Sequence, residues 1–168
     1  MVVHRILAVV VLICLAVASP CLADKDGAKL TGQVSALLAQ HDKALAAQDI
    51  TGIMKTYLAG PEIFLMGTGP GEIYRGQEGV SGAYNQFFTR FDKGSLSVTY
   101  DWVSAGFRGD VAWFCAEGTM KGMVKDTMKE MGVNFSGTLL KQKGTWRFVA
   151  MHFSKLGVMA EPQEQVVK

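Results

Sequence analysis

Cysteine is scarce in this chain: three in 168 residues. Two of them, Cys14 and Cys21, fall in an N-terminal stretch with the pattern of a cleaved leader. Cys115 is then left without a partner, which excludes an intrachain disulfide framework. Its place in an apolar run suggests a small buried hydrophobe. Basic clusters are also missing. Lysine and arginine total 17 against 15 acidic residues, for a formal charge of +2, and they are scattered. That excludes the basic stripe of a nucleic-acid or membrane-surface binder. No apolar run reaches the ~20 residues that a membrane-spanning helix needs. Beyond the leader only His41 and His152 remain, far apart in sequence, so no histidine-based metal cluster is expected. Internal repeats and long low-complexity linkers are absent too.

What is present begins with the leader. Arg5 precedes the apolar stretch Ile6 to Ala18, and Ser19-Pro20-Cys21-Leu22-Ala23 follows, with small residues at the −3 and −1 positions of a cut after Ala23. This is the layout of a secretory signal peptide. Pro20 disfavours a lipoprotein-type cut before Cys21. The expected organisation is a signal peptide over residues 1–23, one domain over 24–160 and a loose polar tail over 161–168, in a periplasmic or secreted protein with no membrane span after cleavage.

Hydrophobic periodicity then sets out an order of elements. Leu30 to Ala47 reads as an amphipathic helix with Leu30, Val34, Leu37, Leu38, His41 and Leu45 on one stripe. Asp49 suits the cap of a second helix carrying Ile50, Ile53, Met54, Tyr57 and Leu58, ended by Gly60-Pro61. A third helix over Gln77 to Phe91 carries Val80, Tyr84, Phe87, Phe88 and Phe91. After it the period changes to two. Leu96 to Ala105, Val111 to Met120, Asn134 to Gln142 and Thr145 to Ser154 read as strands, the last two joined by a Lys143-Gly144 hairpin turn. Helices followed by antiparallel strands predict an α+β fold with the helices on one face of a sheet.

One stretch, GTGPGEIYRG from Gly67 to Gly76, looks like a phosphate loop. A phosphate loop leaves a strand and enters a helix. Here Glu62 to Met66 reads as a strand, but Glu72 to Arg75 reads as another. Glu72 also stands where the last glycine of a G-x-G-x-x-G run belongs, and its charge would repel a phosphate. Turn chemistry is the better account of these glycines.

The same stretch, extended to GTGPGEIYRGQEGV and followed by a helix, resembles the SnoaL-like families of the nuclear transport factor 2-like superfamily. So does the ending GTWRFVAMHFS, with its Gly-x-Trp-x-x-Val-x-x-His-x-Ser pattern, which is similar to the association domain of calcium/calmodulin-dependent kinase II. The resemblance covers about Lys29 to Ser154. It implies a cone-shaped, cystatin-like fold: three N-terminal helices in a curved antiparallel sheet, a pocket inside, and a homodimer formed through the sheet's outer face. Ketosteroid isomerase is a relative that moves a proton with a carboxylate and holds the enolate with two donors. By that comparison the carboxylate would fall near Leu65, Met66 or Gly67, where there is none. One donor would fall at His41 and the other at Thr138, and two pocket tyrosines match Tyr57 and Tyr84. Comparison with the kinase domain puts Glu117 in place of a pocket arginine, and Phe153 in place of another.

The expected site therefore takes a small hydrophobic or amphipathic molecule. His41, Tyr57, Tyr84, Glu117 and Thr138 supply the polar contacts, with Trp113 and Met151 as apolar wall. Alternation places Glu117 on one strand face with Trp113, Cys115 and Thr119, and turns His152 outward if Met151 and Phe153 face in. Two other readings stay open: an isomerase, lyase or hydrolase without cofactor that uses His41 and Glu117 for proton transfer, or a dimeric accessory protein with a vestigial pocket. Met120, Met123, Met128 and Met131 form two Met-x-x-Met pairs, a pattern suited to cuprous ions. A hairpin tip or pocket lid padded with methionine is the simpler reading, and no metal is expected.

Overall fold

The computed structural model describes residues 20–157. The expected leader, except for its last residues, and the expected tail lie outside them. Helix α1, Pro20–Ala47, is the longest element. Its apolar stripe is buried as expected, from Leu30 and Val34 through Leu37, Leu38 and His41 to Leu45. The helix starts ten residues before the expected Leu30, and none of the side chains from Lys25 to Lys29 is buried.

Helix α2, Ile50–Met54, is capped by Asp49, whose carboxylate accepts from Gly52 N at 3.0 Å. It stops short of the expected Gly60-Pro61 because the chain leaves it to pair with a strand. Phe148 N donates to Thr56 O and Leu58 N donates to Phe148 O, both at 2.9 Å. Strand pairing thus takes Tyr57 out of the helix and fixes it beside Phe148. Strands β1 (Phe64–Met66) and β2 (Ile73–Arg75) form a short hairpin, and helix α3 (Gly76–Phe88) follows directly.

Four long strands complete the chain: β3 (Ser97–Arg108), β4 (Val111–Val124), β5 (Thr127–Gln142) and β6 (Thr145–Lys155). The sheet order is β2-β1-β6-β5-β4-β3, with β1 parallel to β6 and every other neighbour antiparallel. So the sheet is mixed rather than wholly antiparallel. Strand β4 alternates strictly: Ala112, Phe114, Ala116, Gly118 and Met120 face the helices and are buried. Two register shifts, at Asp101 in β3 and at Val149 in β6, each add a residue against the neighbouring strand. Such bulges increase local twist and bend, and here the sheet wraps α1 and α3. Gly137 is required where it stands: a Cβ there would meet the carbonyl of Ala150 and come within 2.6 Å of the Phe114 ring.

The methionine-rich segment is not a loop. Strands β4 and β5 run on and join through Lys125 and Asp126, both in left-handed backbone (φ 49° and 60°). Met120 pairs with Met131 and Met123 with Met128 across this hairpin. Alternation then sends the first pair inward and the second outward, so the four thioethers do not converge on one ion.

The glycine stretch also resolves. Gly67 N donates to Glu72 O at 2.8 Å, and Gly69 N donates to the Glu72 carboxylate at 2.9 Å. A Cβ on Gly67 would collide with that carboxylate. The amides that would hold a phosphate hold the chain's own acid instead.

Candidate functional site

The site is assembled from α1, α3, the segment after α2, and β3. On α1, His41 sits between Leu38 and Leu45 on the buried stripe, 1% exposed. One residue on, Asp42 turns toward β3. On α3, Tyr84 faces α1. Tyr57 stands next to β6, and its ring packs on Phe148 with centroids 5.7 Å apart.

These side chains form one continuous hydrogen-bonded run. The Tyr57 and Tyr84 hydroxyls are 2.9 Å apart. Tyr84 is 2.8 Å from His41 Nε2. His41 Nδ1 is 3.1 Å from Asp42 Oδ1, and the Tyr100 hydroxyl donates to Asp42 Oδ2 at 2.8 Å. A carboxylate only accepts, so His41 Nδ1 carries the proton it shares with Asp42. On a neutral ring Nε2 then accepts from Tyr84, and Tyr84 accepts from Tyr57. Every donor points toward Asp42. Among the described residues no buried side-chain nitrogen or oxygen lacks a partner.

The three phenols are held in the protonated state. Burial pushes Tyr57 well above the ordinary tyrosine range, against a smaller opposing effect of its bond to Tyr84. Burial does the same to Tyr84, reinforced by Tyr57, Asp42 and Tyr100. Tyr100 is raised by burial first, then by the charge of Asp42 and its bond to it. Each phenol is therefore a fixed donor at physiological pH.

His41, Asp42 and Tyr84 line a chamber of about 510 Å³. Its walls are mostly apolar, with Leu45, Leu65, Phe87, Met120, Phe135 and Phe153 among them. Asp42 is the carboxylate that adjoins His41 on its lining, and its side chain keeps 16% of its exposure. Arg90, Lys129 and Lys155 line the chamber and are exposed, which places them at its mouth.

The expected site residues divide into three groups. His41 and Tyr84 line the chamber, and Tyr57 lies behind Tyr84, joined to it by the hydroxyl pair. Met151 is buried on the inner face opposite Leu65, in the core rather than in the chamber wall. Trp113, Glu117 and Thr138 are on the other face of the sheet. Trp113 is 51% exposed and pairs with Thr138, while Glu117 pairs with Trp102 and Asn134. The reason is strand parity. One set of alternate β4 residues is wholly apolar, and it faces in; the set with Trp113, Cys115, Glu117 and Thr119 faces out. Cys115 is accordingly exposed, not buried. His152 pairs with Ser136 on the outer face. Proton transfer between His41 and Glu117 is ruled out, because the sheet separates them.

Asp42 and Tyr100 were not among the expected site residues. Asp42 adjoins His41 in sequence, and a helix turn seats both on the chamber. Tyr100 alternates with Val98 on the inner side of β3.

The profile of the SnoaL-like domain family matches residues 34–159 of the chain. No curated protein shows significant sequence similarity to it. Among solved structures, a nuclear transport factor 2-like superfamily protein from Salmonella enterica superposes with a TM-score of 0.70 at 15% identity, covering 81% of this chain and 97% of that one. A protein described as a calcium/calmodulin-dependent protein kinase II association domain, from Xanthomonas campestris, gives 0.63 at 18% identity, covering 73% and 85%. A ketosteroid isomerase-like protein from Erwinia carotovora gives 0.62 at 17% identity, covering 76% and 97%. At these identities the likeness establishes the fold.

Proposed function

The chain belongs to the SnoaL-like domain family, and from that premise we propose that its chamber binds a small, largely apolar molecule that presents a hydrogen-bond donor to Asp42. The observation that carries this reading is the run of donors ending on a carboxylate in the wall of a chamber of about 510 Å³. The volume suits a small organic ligand, and apolar walls with few convergent polar groups are the usual make-up of such pockets. Asp42 already accepts from Tyr100 and His41, yet a carboxylate has about four acceptor directions. The spare ones serve a ligand hydroxyl or N–H.

Native mass spectrometry of the purified protein, paired with a thermal-shift screen of small metabolites, tests this. The expected result is a retained or stabilising ligand whose effect is lost in Asp42→Asn. An empty protein with no shift across the panel supports an accessory role with a vestigial pocket instead.

A second reading rests on the His41–Asp42 contact of 3.1 Å. A carboxylate oriented by an imidazole and a phenol, in an apolar chamber, is placed to take a proton from a bound carbon or oxygen acid. This is cofactor-independent isomerase or lyase chemistry. It predicts turnover that falls at least ~100-fold in Asp42→Asn, the usual scale of a general base, with ligand affinity largely kept.

The sequence of residues 1–23 supports export to the periplasm or beyond. A cut after Ala23 falls before the first core residue among those whose burial is described, Leu30. The intact mass of the exported protein tests the cut. The outer sheet face, with Trp102 and Trp113 about half exposed, supports a homodimer.

A further inference from the structure

The charges around the chamber are divided in a way that the proposed function does not use. Three acids line it, Asp42, Glu72 and Glu130, and three bases, Arg90, Lys129 and Lys155. Each acid is committed to another group. Asp42 accepts from Tyr100 and His41. Glu72 accepts from Gly69 N inside its own loop. Glu130 is ion-paired with Lys121 at 3.0 Å. None of the three bases has such a partner: the ion pairs among the described residues are His41–Asp42 and Lys121–Glu130.

Two of these bases are aimed by strand register. Lys129 lies across from Gly122 and Lys155 across from the buried Val133, so both stand on the inner side of the sheet. Arg90 follows the last turn of α3, where its amide is tied to Phe87 O at 3.1 Å. The β4–β5 hairpin that carries Lys129 is itself pinned. Asp92 N donates to Met123 O at 2.8 Å, Asp126 N donates to the Asp92 carboxylate at 3.1 Å, and Met123 N donates to Ser95 Oγ at 2.9 Å. The mouth thus holds, on anchored backbone, three cations unpaired among the described residues, beside Glu130 paired to Lys121; apolar side chains make up most of the remaining wall, and Asp42 stands on it next to the buried His41.

We propose that the ligand is an organic anion, an amphiphile with one oxyanion head at Arg90, Lys129 and Lys155 and an apolar body in the chamber. This rests on the chamber being the ligand site. It adds the ligand's charge and its direction of entry. Asp42 repels an anionic head from the part of the wall beside His41, and the three cations attract it to the mouth, so the two effects select the same orientation. The cations are exposed, so the attraction is screened beyond a Debye length of ~10 Å at 0.1 M salt.

Isothermal titration with decanoate and with 1-decanol, which share a chain and differ in head charge, tests the proposal on the full mature protein. Decanoate is expected to bind at least ~10-fold more tightly at low salt, equivalent to ~1.4 kcal/mol, with the gap closing as salt rises. Decyl sulfate is expected to behave like decanoate, because the head is recognised by charge. The triple variant Arg90→Gln, Lys129→Gln, Lys155→Gln is expected to keep its thermal stability and to bind decanoate no better than decanol. Equal binding of the two probes by the wild-type protein would overturn the proposal and leave the chamber as a ligand site. Binding of neither would overturn the proposal for this probe class, and the metabolite screen then decides the chamber separately. A salt-insensitive preference for decanoate, or one that survives the triple substitution, also overturns it.

Discussion

His41 Nε2 and the hydroxyl of Tyr84 lie 2.8 Å apart, both side chains buried, 43 residues from each other in sequence. The contact joins α1 to α3 and passes the run of donors from Tyr57 on toward Asp42. Removing the Tyr84 hydroxyl strands two buried groups at once, the Tyr57 hydroxyl and His41 Nε2. Tyr84→Phe should cost about 2–3 kcal/mol in urea unfolding, while Tyr57→Phe, at the end of the run, should cost about 1 kcal/mol. The double variant should cost less than the sum, since each partner's loss is counted in both single changes. Strict additivity would mean that the hydroxyls are not bonded.

Alkaline pH should destabilise the protein unusually early. Tyr57, Tyr84 and Tyr100 all bind their protons more tightly folded than unfolded. Below the unfolded value of 10.0 both states hold these protons and the stabilisation is complete. Above it the unfolded state releases them first, so stability falls as pH rises. The slope is up to about 1.4 kcal/mol per pH unit for each phenol. Denaturation midpoints at pH 9, 10 and 11 measure it. The native protein should also show a deficit of phenolate absorbance that appears on adding denaturant. Full phenolate absorbance in the native state at pH 11 would contradict the buried run.

Much of this was legible in the sequence because one periodicity decided it. The α1 stripe placed His41 inside with Leu38 and Leu45, and Lys143-Gly144 marked its hairpin. The parity of β4 was legible too but misassigned. Trp113 drew attention as a large aromatic, although its alternate set includes Glu117, Thr119 and Lys121, whereas the other set is wholly apolar. A register of period two turns one wrong choice into a whole wrong face. That parity turns Trp113, Glu117 and Cys115 outward; Glu117 and Thr138 were expected inside by comparison with the kinase domain and ketosteroid isomerase, and Thr138 shares the outer face through its pairing with Trp113. Tyr57 was expected in a helix because its spacing from Ile53 is helical; the backbone of its neighbours Thr56 and Leu58 bonds to Phe148 on β6, a long-range pairing that no local pattern reveals. Asp42 escaped because a carboxylate beside an apolar stripe reads as a solvated flank, and only Tyr100, from a distant strand, makes it part of the site.

The glycine loop makes a prediction that separates turn chemistry from anion binding. If Gly67 is needed for space beside the Glu72 carboxylate, Gly67→Ala should destabilise the protein by about 1–2 kcal/mol, the scale of a forced local shift. Glu72→Ala removes the carboxylate, which is the closest contact, together with the Gly69 bond, and leaves only the Cβ of residue 72 at 2.9 Å, so Gly67→Ala in that background should cost less. A chemical-denaturation cycle over the four proteins measures the coupling. Equal costs of Gly67→Ala in both backgrounds would show that the Glu72 carboxylate does not set the need for a glycine at this position.

The outer face supplies the last test. Trp113 is 51% exposed and Trp102 47%, and both project from the side of the sheet away from the helices. Trp113 is not free to swing inward. It lies against Gly106, where a Cβ would come within 2.7 Å of the indole ring, so the missing side chain at 106 lets the ring lie flat. A flat, fixed indole on a broad strand surface loses little side-chain entropy on association. Stable interfaces bury about 800 Å² per partner and often centre on such aromatic anchors. Light scattering should therefore give twice the mass of the chain, and Trp113→Glu should give the single mass with an unchanged thermal midpoint of the isolated subunit. Because the chamber opens on the opposite side of the sheet, that variant should keep its ligand-induced thermal shift. A wild-type monomer at high concentration would remove the dimer, and loss of the shift in Trp113→Glu would mean that the two faces of the sheet are coupled.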